Sequence, residues 1–266
     1  MLATLRLPDH YVAWNHRWHA PQGLDGRTYL PPSERINRRR ARALGPFVWQ
    51  PNSSTRAFEY PWAYFAADVY AGQRVLEIGG ALSGLQFVLA RDGADVVNVD
   101  PMRPYGRGET YEMDPSEFHS WLNDVHGTQV SLRTTTVNDA ALDADSFDVV
   151  VCISTIEHLP PEEIQTILSE VARVLKPGGR FLVTVDLFLN LVPFTGRTAN
   201  EWGGNISVRW IVDESGLRLE SGEPRELYGF EEFDHQHILA TLERYAIGTG
   251  YPQLAQVFAL RKEGLT

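Results

Sequence analysis

Apolar positions along the chain fall into two periods. Short apolar runs closed by glycine or acidic turns alternate with longer stretches in which apolar residues recur every three or four positions. Arg74–Ile78 is the first such run. Residues 85–91 put Leu85, Val88 and Leu89 on one helical face before Asp92-Gly93 stops them, and Asp95–Val99 is a second buried run. This βαβ unit predicts parallel strands side by side in an α/β sheet. The same reading places strands over residues 130–133, 147–153, 180–186, 217–222 and 253–261, with 147–153 the central one. Helices are predicted over 115–125, 162–175, 206–215 and 234–247. Upstream, Ser33 as N-cap and Gly45-Pro46 as stop bound a helix over 34–44. Tyr60-Pro61 opens the helix that feeds the first strand, with Pro61 in its first turn.

The amino-terminal region breaks this rhythm. Residues 10–26 and 47–64 interleave rings with polar groups; the second stretch reads equally as a lid over a small polar ligand or as packing against the sheet, and as a lid Trp14, Trp18, Trp49 and Trp62 suit stacking on a sugar or flat ring. The expected division is therefore an arm or lid, residues 1–59, with substrate or oligomer contacts, and a body, residues 60–266. Charge follows the same line. The whole chain carries −10, yet residues 1–56 hold nine arginines against three acids. A basic arm on an acidic body is expected to dock on its own or a neighbouring subunit, so a homo-oligomer is possible. Arg35, Arg38, Arg39, Arg40 and Arg42 read as a solvated or interface face rather than a phosphate site. The acidic balance disfavours a nucleic-acid partner. With no apolar run of about 18 residues and no signal pattern, neither membrane span nor export is expected, and the localisation reads as cytoplasmic. Cys152, the single cysteine, sits in an apolar run and reads as a reduced core residue.

Candidate chemistry starts at the turn after residue 78. Gly79, Gly80, Ala81 and Gly84 let the backbone approach a ligand, and the next helix points its N-terminus there. Asp100 lies where a carboxylate accepts hydrogen bonds from ribose hydroxyls, and Met102 where an apolar side chain can cover an adenine. A dinucleotide would want an apolar residue at position 77. The residue is Glu77, which repels a pyrophosphate but suits a cation such as the sulfonium or amino group of S-adenosyl-L-methionine.

These residues resemble motif I of the class I methyltransferases, Glu/Asp-x-Gly-x-Gly-x-Gly, with Ala81 and Ser83 at its second and third glycine positions. Asn138-Asp139-Ala140 is similar to the family position that reads adenine. The run Phe147 to Leu159 looks like the motif after strand four, and Leu175-Lys176-Pro177-Gly178-Gly179 like the turn into strand five. The resemblance covers about residues 60–262 of a type 11-like, S-adenosyl-L-methionine-dependent family. It implies a Rossmann-like seven-stranded sheet, the last strand antiparallel, helices on both faces, beside the amino-terminal helical and aromatic extension. The expected cofactor residues are Glu77, Gly79, Gly80, Ala81, Gly84, Asp100, Met102, Asn138, Asp139, Ala140 and Ser154.

The expected activity is O-methylation of a small hydroxylated acceptor, a saccharide or natural product. Alternatives are an N-methyltransferase on a small amine, an NAD(P)-dependent oxidoreductase and a non-catalytic cofactor-binding protein. A hydroxyl acceptor needs a base, and His158 leaves the end of the central strand. Structural and metal-ligating roles, the latter with Glu157, compete for it, and no resident metal is expected. His235 and His237 are further base candidates, and Asp186 could hold the acceptor. The pair His16-x-x-His19 has metal spacing but no third ligand nearby. His119 and His126 read as surface residues.

Overall fold

The computed structural model describes residues 1–24, 37–103 and 114–264. The elements, in order, are α1 (Asp9–Trp18), α2 (Arg38–Leu44), α3 (Arg56–Ala67), β1 (Arg74–Ile78), α4 (Gly84–Arg91), β2 (Asp95–Val99), α5 (Pro115–His126), β3 (Ser131–Arg133), β4 (Phe147–Ile153), α6 (Pro161–Val174), β5 (Leu175–Phe188), α7 (Val208–Ser215), β6 (Arg218–Ser221), α8 (His235–Ala240) and β7 (Gln253–Arg261). They build one seven-stranded sheet in the order β3-β2-β1-β4-β5-β7-β6. β7 runs antiparallel to both its neighbours, and the other pairings are parallel. The switch in strand order between β1 and β4 opens a crevice at their carboxyl ends, where open α/β sheets take ligands.

Alternation along the strands divides the core between two faces. Val75, Val96, Val149 and Val151 join the layer holding α1, α3, α4 and α5. Leu76, Val97, Val150 and Cys152 join the layer holding α6 and α7. Cys152 is fully buried, and burial pushes its thiol up out of the reactive range.

Several boundaries differ from the sequence reading. α2 is capped by Asn37, whose side chain accepts from the Arg40 N–H; the expected cap Ser33 lies outside the described residues. β5 begins at Leu175 because the Lys-Pro-Gly-Gly stretch stays in the ladder, where the register shifts between Phe147 and Val149. The helix expected over 234–247 is α8 followed by a separate 3-10 turn, Leu242–Arg244. α3 starts at Arg56, so Pro61 is an interior residue rather than a first-turn one. Proline offers no N–H to the carbonyl four residues back. That carbonyl, Ala57 O, instead accepts from Asn15 Nδ2 on α1 at 2.7 Å.

The four tryptophans are not a lid. Trp14, Trp18, Trp49 and Trp62 are all buried in the layer under the sheet, where Trp14 packs edge-on to Phe47 and Trp49 edge-on to Phe118. The 59/60 boundary falls inside α3. The basic arm docks on its own chain: Arg38 pairs with Asp124 at 2.8 Å and Arg42 Nε donates to Val125 O at 2.6 Å, both on α5.

Candidate methyl-transfer site

The turn after β1 is shaped by contacts that admit no side chain. Gly79 sits at φ +70°, and a Cβ there would lie 2.2 Å from Thr155 Cγ2. A Cβ at Gly80 would meet Glu77 Cδ at 2.6 Å, and one at Gly84 the Phe47 ring at the same distance. Ala81 takes the left-handed region at φ +42° despite its Cβ. Three neighbours hold it there. Its N–H donates to Asp100 Oδ2 at 2.8 Å, and its carbonyl accepts from Asn98 Nδ2 at 2.9 Å and Gln86 Nε2 at 3.2 Å. Asp100 Oδ1 accepts the Met102 N–H at 2.6 Å, so this carboxylate ties the two loops together. Leu82 N–H donates to Gln50 Oε1 at 2.9 Å, bringing the segment after α2 onto the same turn.

The sequence reading missed Gln86, Asn98 and His119. All three are buried, and Gln86 Oε1 lies 3.1 Å from Asn98 Nδ2 and 2.8 Å from His119 Nε2. His119 is thus no surface residue; burial lowers its pKa to about 4 and keeps it neutral. A polar residue at a core-facing strand position (Asn98) and on the buried face of α4 (Gln86) was the available signal.

Glu77 is 2% exposed, and its Oε2 has no hydrogen-bond partner among the described residues. Burial pushes its carboxyl up to about 8; the Ser83 hydroxyl opposes this, and the charge of Asp100 adds to it. A buried acid with a vacant acceptor, beside a backbone cradle that a Cβ would fill, fits a compact cation. Burial likewise raises Asp100, against the N–H groups of Met102 and Ala81 and the charge of Arg103.

Asn138, Asp139 and Ala140 form a turn after β3, on the same carboxyl edge of the sheet. Thr136 Oγ1 donates within it, 2.8 Å from Asn138 Oδ1 and 2.7 Å from Asp139 Oδ2, while Ala140 is buried. Ser154 follows β4 at φ +44°, its N–H on Thr184 O at 2.9 Å. Thr155 Oγ1 reaches Gly79 O at 3.4 Å, linking this end of β4 to the cofactor turn.

A 3-10 turn, Ile156–His158, follows at once. His158 is exposed, and its Nδ1 donates to Trp202 O at 2.6 Å. That bond fixes the tautomer and leaves Nε2 as a proton acceptor. Beneath it, Glu157 Oε1 accepts the Asp186 N–H at 3.0 Å, and Glu157 Oε2 has no partner among the described residues. Asp186 Oδ2 accepts from Tyr251 OH at 3.0 Å. Burial drives Asp186 well above the ordinary carboxylate range, with the Glu157 charge adding and Arg56 opposing. Buried Glu59 takes Thr184 Oγ1 at 2.6 Å and pairs with Arg56. Trp202, 45% exposed, stacks on Tyr251 with centroids 4.8 Å apart and planes 21° apart.

Donor atoms of Glu157, His158 and Asp186 all lie within 4.8 Å of one another, so these three residues could hold a divalent cation. His16 and His19 belong to no such group among the described residues. His235 lies against Phe194, and the Asp234 side chain caps the helix at the His237 N–H; neither histidine has a described contact with His158 or Asp186.

A family model described as a methyltransferase domain matches residues 76–183. Over those residues the chain is similar to a methyltransferase domain. A curated relative is named ubiquinone biosynthesis O-methyltransferase, from Hahella chejuensis. It is 34% identical over 122 residues, which are 46% of this chain and 44% of the relative. The chain spans about half the length of the curated relatives it matches. Among solved structures, phosphoethanolamine N-methyltransferase 2 of Haemonchus contortus, with S-adenosyl-L-methionine bound, aligns over 83% of this chain and 54% of its own. Its TM-score is 0.50 at 17% identity. The PH0226 protein of Pyrococcus horikoshii aligns over 97% of this chain and 100% of its own, with TM-score 0.52 and 15% identity. At these identities the likeness to both structures is one of fold.

For the glycine turn, Asp100→Ala removes a half-buried carboxylate that joins two loops. Charged hydrogen bonds of this kind contribute about 1.5–3 kcal/mol. Affinity for S-adenosylhomocysteine is expected to fall about ten- to a hundredfold, read by calorimetry, with the far-UV circular dichroism spectrum unchanged.

Proposed function

We propose that this protein O-methylates a hydroxyl of a small, flat-ringed acceptor. The observation that carries the reading is His158. Its Nδ1 is committed to the carbonyl of Trp202, a residue 45% exposed that stacks on Tyr251, and its Nε2 is left as a base. An aromatic platform next to a positioned base suits a phenolic hydroxyl more than a saccharide, because the tryptophans expected to stack on a sugar are buried. The Hahella relative, named an O-methyltransferase, supports the same atom choice.

S-adenosylmethionine, when bound, supplies an electrophilic methyl group on a sulfonium. The rest of the reaction falls to this chain. Gly79, Gly80, Ala81 and Gly84 would take the methionine part against backbone, with Glu77 as partner for its cation. Asp100 and Met102 would hold ribose and adenine, and Asn138, Asp139, Ala140 and Ser154 would complete the rim. His158 Nε2 would take the proton of the acceptor hydroxyl as that oxygen receives the methyl group. Catalysis is then mostly positioning plus that proton transfer.

A second reading keeps the same acceptor but has Glu157, His158 and Asp186 hold a divalent cation, as their mutual distances allow. To test the main reading, the purified protein is incubated with methyl-labelled S-adenosylmethionine and separate panels of phenols, saccharides and small amines. Label is expected in the phenols. Transfer only to amines, or none to any panel despite bound cofactor, would overturn it.

A further inference from the structure

A second cavity lies away from the methyl-transfer site and is open to solvent. It measures about 120 Å³ and lies where α1, α2, α4 and α5 meet, at the end of α4 remote from the cofactor turn. Gly84 and Arg91 mark the two ends of that helix, separated by roughly 10 Å of helical rise. We infer that this cavity binds a phosphoryl-sized oxyanion, held by Arg17, Arg42 and Arg91.

Three observations carry the inference. The first is charge. Arg17, Arg42 and Arg91 come from three different helices to line one cavity, and His19 and His126 complete its polar wall, with no Asp or Glu among the lining residues. This happens in a chain whose formal net charge is −10. None of the three arginines makes a salt bridge among the described residues, whereas Arg38, one turn before Arg42 on α2, does. Arg17 and Arg91 instead lie over the Trp18 ring, their Cζ atoms 4.9 Å and 5.4 Å from its centroid. Arg42 spends Nε on the Val125 carbonyl. Three guanidiniums gathered this way repel one another, and an anion between them relieves that repulsion.

The second observation is construction. Gly45 is needed for the wall: a Cβ there would lie 2.9 Å from Trp18 O and 3.3 Å from the His19 ring, and its φ is +84°. Phe87 and Val88 close the floor, both buried. The third is unmet hydrogen-bonding capacity. Two buried ring nitrogens of lining residues, Trp18 Nε1 and His126 Nε2, have no partner among the described residues. His126 is held neutral, its pKa lowered to about 4 by burial and by the charges of Arg91 and Arg42, so it can offer Nε2 without adding to the repulsion. The size and the guanidinium set match phosphate, free or as the head of a phosphomonoester.

The test titrates inorganic phosphate and, separately, glycerol 3-phosphate into the full chain by calorimetry at constant ionic strength in chloride. Saturable binding at one site is expected. A tighter constant for glycerol 3-phosphate assigns the site to a phosphomonoester, and equal constants assign it to the free ion. Arg17→Gln/Arg91→Gln should weaken binding about tenfold or more. Arg209→Gln/Arg218→Gln, an equal change of charge elsewhere on the surface, should leave it unaltered. In the wild type, phosphate should shift the Trp18 indole N–H resonance, a readout that does not depend on any variant folding. Absence of saturable binding, equal loss in both double variants, or an unmoved Trp18 signal at saturation overturns the inference.

Discussion

His158→Ala is expected to lower the methyl-transfer rate by about a hundred- to ten-thousandfold, measured as kcat under saturating cofactor. Cofactor affinity should barely change, because the hydrogen bond of the ring goes to Trp202 O, outside the glycine turn. Stability should change little, since the side chain is exposed and makes a single described hydrogen bond, a loss of about 1 kcal/mol. The metal-assisted reading forecasts something different. Chelator would abolish activity, a divalent cation would restore it, and Glu157→Gln and Asp186→Asn would each match the histidine variant. A folded, chelator-indifferent and fully active His158→Ala protein would remove His158 from the reaction altogether.

Glu77→Gln should weaken S-adenosylhomocysteine by about a hundredfold or more, as expected when one partner of a buried charge pair is lost. The proton balance gives a sharper signature. With its carboxyl pushed up to about 8, Glu77 holds a proton in the free protein at pH 7. A cation settling beside it drives that proton off. Calorimetry in PIPES and in Tris, whose ionisation enthalpies differ, should therefore give different apparent enthalpies for the wild type and the same value for the variant. Stability follows with a definite sign. The unfolded chain ionises near 4.5 and the folded one only near 8. The native state thus binds more protons through that window, and stability falls as pH rises through it. The variant should lack this decline and melt higher than wild type at pH 8, by about 5 °C or more.

How much of this was legible in the sequence depends on whether the determining contacts were local. The limits of β1, β2, β4 and β7 agree with the reading because a short apolar run between turn residues is a self-contained signal. The glycine turn, Glu77 and Asp100 were legible for the same reason: the unit that brings them together spans only β1, α4 and β2. Pro61 misled, since proline reads as a helix start and its tolerance inside α3 depends on Asn15, far off in the chain. The tryptophans misled because interleaved rings and polar residues look alike whether they face solvent or a sheet. Asp186 could be named from sequence, but its approach to Glu157 follows from β4 and β5 being parallel neighbours. The Arg17, Arg42 and Arg91 cluster was invisible, as no periodicity links residues that three separate helices bring to one cavity.

The proline of α3 has one more consequence. A helix with a missing rung is usually weaker in its middle, yet here the vacancy is filled from another helix, so α3 is complete only while α1 lies against it. The two helices therefore behave as one cooperative block, and an opening of α1 leaves a bare carbonyl in the hydrophobic layer that also carries Phe47 and the floor of the glycine turn. The amino-terminal region is in this sense a splint rather than an appendage: it keeps rigid the helix against which the cofactor end of the sheet is braced.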